Sequence, residues 1–260
     1  MPLSSRIDRQ LLRAAAHGEV EKVQSLLSKG AAVNIRLAAS LDRGPYPRAT
    51  LSRTEDGDTP LHLAARNGHA EVARLLLDAE GIDVNAVNVR DNAPLNLAAA
   101  YGSNDVVKLL LNAEGIDVNT ADDTGDTPFH DAVSYGHIEA AQLLLNAGGI
   151  NINVSNNNGD TPLHRAVSKG YVNMVQMLLK AGGININAAN NYGTTPLHRA
   201  VSKGYVDIIQ MLLKADGINI NAANNYGDTP LHRAVSKGYV NMVQMLLKAG
   251  GININAANNY

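Results

Sequence analysis

The chain has 260 residues, 45% of them hydrophobic and 18% charged, with no cysteine, no tryptophan, one phenylalanine and a formal net charge of -2. That length can bury a sizeable core, while the lack of cysteine excludes a disulfide framework, thiol catalysis and any zinc site built on sulfur. Near-zero net charge argues against a general polyanion binder. No run of about 18 apolar residues is there to span a membrane, and the opening MPLSSRIDRQLL lacks the apolar stretch of a signal peptide. The expectation is a soluble, cytoplasmic protein. The balanced total conceals segregation: residues 1–53 carry nine Lys/Arg and four Asp/Glu, residues 54–140 four and sixteen, and residues 141–260 nine and four.

The first predicted element, over residues 5–34, is a helix pair. Leu12 and Ala15 form one apolar stripe, Gly18 interrupts it, and Val23, Leu26 and Leu27 form the next. Arg6, Asp8, Arg9 and Arg13 suit a solvent-facing outer side. Residues 35–57 follow as a loop. The step from Asn34 to Pro60 is 26 positions against 9 from Asn85 to Pro94, so this loop carries 17 extra residues. It holds Arg36, Arg43, Arg48 and Arg53 against Asp42 before an acidic end at Glu55 and Asp56. Two readings stand open: a mobile solvated loop, or a contact loop for an acidic partner.

From residue 58 the chain repeats. Pro60, Pro94, Pro128, Pro162, Pro196 and Pro230 each follow the last by 34 residues, inside DTPLHLAARNG, NAPLNLAAAYG, DTPFHDAVSYG, DTPLHRAVSKG, TTPLHRAVSKG and DTPLHRAVSKG. A fixed stride of this length means a solenoid, propeller or array. In residues 191–224, Thr195 is suited to cap a helix that Pro196 begins, and Leu197, Ala200 and Val201 give its apolar stripe. Gly204 ends it. Val206, Ile209, Leu212 and Leu213 mark a second helix, and the Asn- and Gly-rich ININAANNYG predicts an extended finger. Two short helices cannot bury their apolar faces alone, so neighbouring units must stack.

T-P-L-H-x-A, a glycine, a V-x-x-L-L helix and G-x-D/N-V/I-N resemble the ankyrin repeat, over roughly residues 5–34 and 57–260, with one residue more than the usual 33. The resemblance implies an all-α ankyrin-repeat solenoid of about seven stacked helix-turn-helix units with β-hairpin or loop fingers. It divides one domain, 1–260, into an N-terminal capping repeat (5–34), a finger with a long insertion (35–57) and six 34-residue repeats (58–260) without a C-terminal cap. It also implies that the motif's Thr and His hydrogen-bond to one another and tie adjacent loops. That gives structural roles to Thr59, Pro60 and His62; Thr127, Pro128 and His130; Thr161, Pro162 and His164; Thr195, Pro196 and His198; and Thr229, Pro230 and His232. In one unit the motif reads Ala93-Pro94-Leu95-Asn96 and Asp91 replaces the finger glycine, which predicts the weakest joint of the array.

Ankyrin arrays bind through finger tips and the exposed side of the first helix. Carried onto matching positions, the resemblance implies a contact surface of Glu55, Asp56, Asp58, Arg66, Asn67, Arg90, Asn92, Tyr101, Asp123, Thr124, Asp126, Asp131, Ser134 and Tyr135 in the acidic part. In the basic part it comprises Asn158, Arg165, Lys169, Tyr192, Arg199, Lys203, Tyr226, Arg233 and Lys237. The arginines and lysines read equally well as copied surface charge, because residues 157–190 and 225–258 agree at 33 of 34 positions. The last unit is therefore of internal type. Its open side would forfeit about 1.5–3 kcal/mol for each large apolar side chain left unburied, which points to a chain cut from a longer protein or to self-association.

Nothing in the sequence assembles a catalytic centre. H-E-x-x-H, G-x-x-x-x-G-K-[ST], G-x-G-x-x-G and G-x-S-x-G are absent. The equivalent histidines stand one repeat apart, about 8–10 Å, too far to share a metal. No cofactor, metal or small-molecule substrate is expected. The leading function is a non-catalytic protein-interaction module. Polyanion binding (nucleic acid or acidic lipid headgroups) through Arg165, Arg199, Arg233 and the insertion arginines is the second reading, disfavoured because the basic half has few aromatic stacking platforms. A third is the substrate-recruiting part of a larger enzyme. Near-identical repeats also resemble ankyrin proteins of intracellular bacteria, large viruses and protists, which would make the chain a host-targeting effector acting in host cytosol.

Overall fold

A computed structural model describes residues 6–36 and 57–259. The insertion arginines Arg43, Arg48 and Arg53, and the contact residues Glu55 and Asp56, lie outside them. The described residues form α-helices and no β-strand, and the chain divides into two compact units, 1–150 and 151–260.

The first unit holds four helix pairs: α1 (Arg6–His17) with α2 (Val20–Ser28), α3 (Pro60–Asn67) with α4 (Ala70–Leu77), α5 (Pro94–Ala100) with α6 (Asn104–Leu111), and α7 (Pro128–Ser134) with α8 (Ile138–Leu145). The first helices pack side by side in the order α1, α3, α5, α7, and the second helices likewise as α2, α4, α6, α8. Two layers result, with the core between them. Leu61, Leu63, Leu95 and Phe129 from one layer and Val72, Leu76, Leu110 and Leu144 from the other are all fully buried. Ala64, Ala65, Ala98 and Ala99 are buried too, and their small side chains let the helices approach closely. The second unit repeats the pattern with α9 (Pro162–Lys169) and α10 (Val172–Lys180), α11 (Pro196–Lys203) and α12 (Val206–Lys214), and α13 (Pro230–Ser236) and α14 (Val240–Lys248).

Local chemistry explains the helix boundaries. Thr195 sits in extended backbone (φ -90°, ψ 167°), its hydroxyl accepts from the His198 N–H, and Pro196 opens the helix without losing a bond. The second helices start without such a side-chain cap. Two of their starting residues instead lean on the preceding repeat. His69 Nε2 lies 3.1 Å from the Ala16 carbonyl and His137 Nε2 3.0 Å from that of Ala100, so each ring reaches the end of an earlier first helix. Within α12 the inward face is Ile208, Ile209 and Leu212. The predicted stripe began one residue pair too early, since Val206 lies in the first turn and is 39% exposed.

The fingers are loops, each closed by a tight turn. The N–H of Asn88, Asp122, Asn156, Asn190 and Asn224 donates to the carbonyl four residues on, at 2.9–3.1 Å. The residue before that carbonyl occupies the left-handed region, as Gly159 does at φ 75°. Asp91 holds the same place at φ 57°, a conformation that Asp tolerates better than most residues. One backbone bond then links neighbouring finger tips: Asp123 to Arg90, Asn191 to Asn158, Asn225 to Tyr192 and Asn259 to Tyr226, at 2.9–3.1 Å. A single bond per pair is too few for a ladder.

Candidate interaction surface

Three sets of polar side chains fix the loop side of each unit. In the first, the backbone N–H of Thr59 donates to His62 Nδ1 at 3.2 Å, and the Thr59 hydroxyl lies 2.8 Å from the same nitrogen. An amide can only donate, so Nδ1 is the bare nitrogen and Nε2 carries the proton, which it gives to the Asn92 carbonyl of the next finger at 2.8 Å. His164 and His198 repeat this on the carbonyls of Thr194 and Asp228, both at 2.9 Å. Thr127 and Thr229 donate to His130 and His232 in the same way. Burial pushes His62 and His198 below the ordinary imidazole pKa; the Asp58 charge and the Asn92 carbonyl pull His62 only partly back.

Where Asn96 replaces histidine, the link is rebuilt with longer bonds to the next finger. Its Oδ1 accepts from the Ala93 N–H at 3.1 Å and its Nδ2 reaches the Asp126 carbonyl at 3.4 Å. A side-chain amide carries one acceptor and one donor on opposite edges, as a neutral imidazole does. Only the threonine hydroxyl is lost.

The second set escaped sequence reasoning. Asn34, Asn85, Asn119, Asn153, Asn187 and Asn221 each donate through Nδ2 to a glycine carbonyl in the following repeat, at 2.7–2.8 Å. In five of them Oδ1 accepts from a backbone N–H two residues beyond that glycine. Their signal was an asparagine at a fixed place in every unit, which a reading of Asn as a turn former passes over.

The third set corrects the contact surface. Asp58 is fully buried: it accepts from Arg66 Nη1 at 2.8 Å and Asn88 Nδ2 at 2.9 Å. Arg66 is itself only 4% exposed, its guanidinium 5.8 Å from the Tyr101 ring centroid. Neither can meet a partner as predicted, because each neutralises the other in the interior. Asp131 is buried as well, with Asn96 Nδ2 at 3.3 Å from its carboxylate. In the second unit Arg199 grips both oxygens of Asp160 at 2.7 and 3.0 Å and donates to Ser168, while Arg233 pairs with Asp228 at 3.3 Å. Arg199 therefore joins two repeats and Arg233 pairs within its own, so neither stands in an open cationic ladder. Arg36 likewise donates to the carbonyls of Val87 and Gly57.

The remaining predicted positions stay accessible. Asn67, Arg90, Tyr101, Asp123, Thr124 and Tyr135 are exposed in the first unit, with Asn92, Asp126 and Ser134 half-buried. Asn158, Lys169, Tyr192, Lys203, Tyr226 and Lys237 are exposed in the second, with Arg165 half-buried. Among the described residues no three His, Asp or Glu side chains converge as metal ligands, and no helix is long and apolar enough to cross a membrane.

The family model for ankyrin repeats (3 copies) matches residues 11–122, 95–190, 129–224 and 184–258. The chain belongs to the ankyrin-repeat family, and its fold is the all-α ankyrin solenoid, in general a non-catalytic scaffold and typically a protein–protein interaction module. Among solved structures it is similar to the ankyrin repeat domain of Bcl-3, described as a unique member of the IkappaB protein family. The two share 28% identity at a TM-score of 0.74, over 90% of this chain and 97% of that one. No curated protein matches the sequence.

Proposed function

We propose that the chain is a non-catalytic module that holds a protein partner on the exposed edge of its first helices and on its finger tips. The observation that supports this is where the tyrosines stand. Among the described residues every exposed tyrosine lies there: Tyr101 and Tyr135 just past α5 and α7, Tyr192 and Tyr226 on finger tips. Tyrosine offers a large, rigid contact area at low entropy cost and is enriched at binding hot spots. Pairing of Arg199 and Arg233 with aspartates leaves polyanion binding less well supported than protein binding.

The test is quantitative affinity capture with the full chain. Tyr101→Ser with Tyr135→Ser removes the aromatic surface of the first unit; Tyr101 also lies against the buried Arg66 guanidinium, so the unfolding midpoint is followed beside recovery. Partner recovery is expected to fall at least tenfold, about 1.4 kcal/mol, with the helical circular dichroism unchanged. Unaltered recovery would refute the assigned surface.

A further inference from the structure

We infer that the second unit accepts an acidic, proline-containing segment in the polyproline II conformation, its carboxylates spaced every third residue along Lys169, Lys203 and Lys237. This names a partner class for the surface proposed above and rests on that reading. Residues 151–260 hold nine Lys/Arg and four Asp, and the ion pairs there remove specific charges. Asp160 is consumed by Arg199 and Asp228 by Arg233. Lys169, Lys203 and Lys237 are exposed and form no ion pair among the described residues, so they carry the accessible charge on this edge.

The three lysines sit at the same place in consecutive repeats. Residues 165, 168 and 169 share one face of α9 by their spacing of three and four, and Ser168 on that face receives the Arg199 guanidinium that also holds Asp160 at the finger base. The lysines continue that face at the far end of each first helix, away from the finger turns. First helices packed side by side place equivalent residues about 8–10 Å apart. A polyproline II segment rises about 3.1 Å per residue with three residues per turn, so side chains i, i+3 and i+6 face one way at about 9 Å intervals. A β-strand repeats its face at about 6.7 Å and falls out of step. An α-helix meets the stride only at a spacing of seven, so it needs about fifteen residues to place three carboxylates where the extended, proline-favoured form needs about seven.

Fluorescence anisotropy with labelled peptides and the full chain tests this. The probe is EPPEPPE; the controls are its isomer EEEPPPP and a helical peptide with glutamate at every seventh position. EPPEPPE should bind at least about fivefold tighter than either control, and Lys203→Glu should weaken it by about fivefold or more. Equal binding of the isomers, tighter binding of the helical peptide, indifference to Lys203→Glu, or no binding of EPPEPPE would each overturn the inference. Tyr101 and Tyr135 lie in the other unit. A failed peptide alongside an intact tyrosine effect on capture sinks only this proposal, whereas loss of both sinks the surface itself.

Discussion

A buried histidine held neutral by its neighbours makes stability depend on pH in a fixed direction. In the folded chain His62 and His198 titrate below an unfolded imidazole, chiefly because burial disfavours the charged ring. The unfolded state therefore binds more protons as pH falls. Their contribution is fully present above the unfolded value near 6.5 and is lost as pH drops through the lowered folded value. Geometry points the same way, because protonating Nδ1 would turn an acceptor facing the Thr59 amide into a second donor. Urea unfolding should show a lower midpoint at pH 5.5 than at pH 7.5. His62→Asn copies the solution the chain already uses at Asn96, so this variant should fold and show a shallower loss between those pH values. A variant whose pH dependence matches the parent would remove His62 from the account.

At the scale of the finger, close approach adds to backbone conformation. Gly159 and Gly183 both occupy the left-handed region, at φ 75° and 80°. A Cβ on Gly159 would lie 2.6 Å from the Asn191 backbone nitrogen, whereas one on Gly183 meets nothing within 4 Å. Gly183→Ala should therefore cost about 1–2 kcal/mol from backbone strain alone. Gly159→Ala should cost clearly more, since the next finger must move as well. Guanidinium unfolding of the two variants measures the difference, and equal costs would mean that the fingers are not tightly docked. The capping threonine, the opening proline and the closing glycine were all legible here, because each acts within a few residues. The grip of Arg199 on Asp160 was not, since its partner lies 39 positions away in the chain. Asp58 and Arg66 misled for a related reason: an isolated charge reads as solvent-facing, and only the opposite charge brought beside it makes burial affordable.

Across the second unit, near-identical repeats meet different surroundings. Stability in such an array is a sum of intrinsic repeat terms and nearest-neighbour terms. Residues 157–190 and 225–258 differ at one position of 34, so their intrinsic terms are nearly equal. Yet Val167 is fully buried while the equivalent Val235 is 61% exposed, and Val240 and Leu247 are exposed beside it. Amide hydrogen exchange should be faster over α13 and α14 than over α9 and α10, with a gradient that sequence alone cannot produce. Equal protection in the two segments would show that some contact covers the last repeat in solution.

Stride, helix boundaries and fold class were fixed by the sequence itself, because capping, proline geometry and apolar spacing are local properties that each repeat restates. Which charges reach solvent and which asparagines bridge repeats were decided by tertiary structure. Burial and pairing belong to a residue together with its neighbour, and in a stacked array that neighbour stands one repeat away.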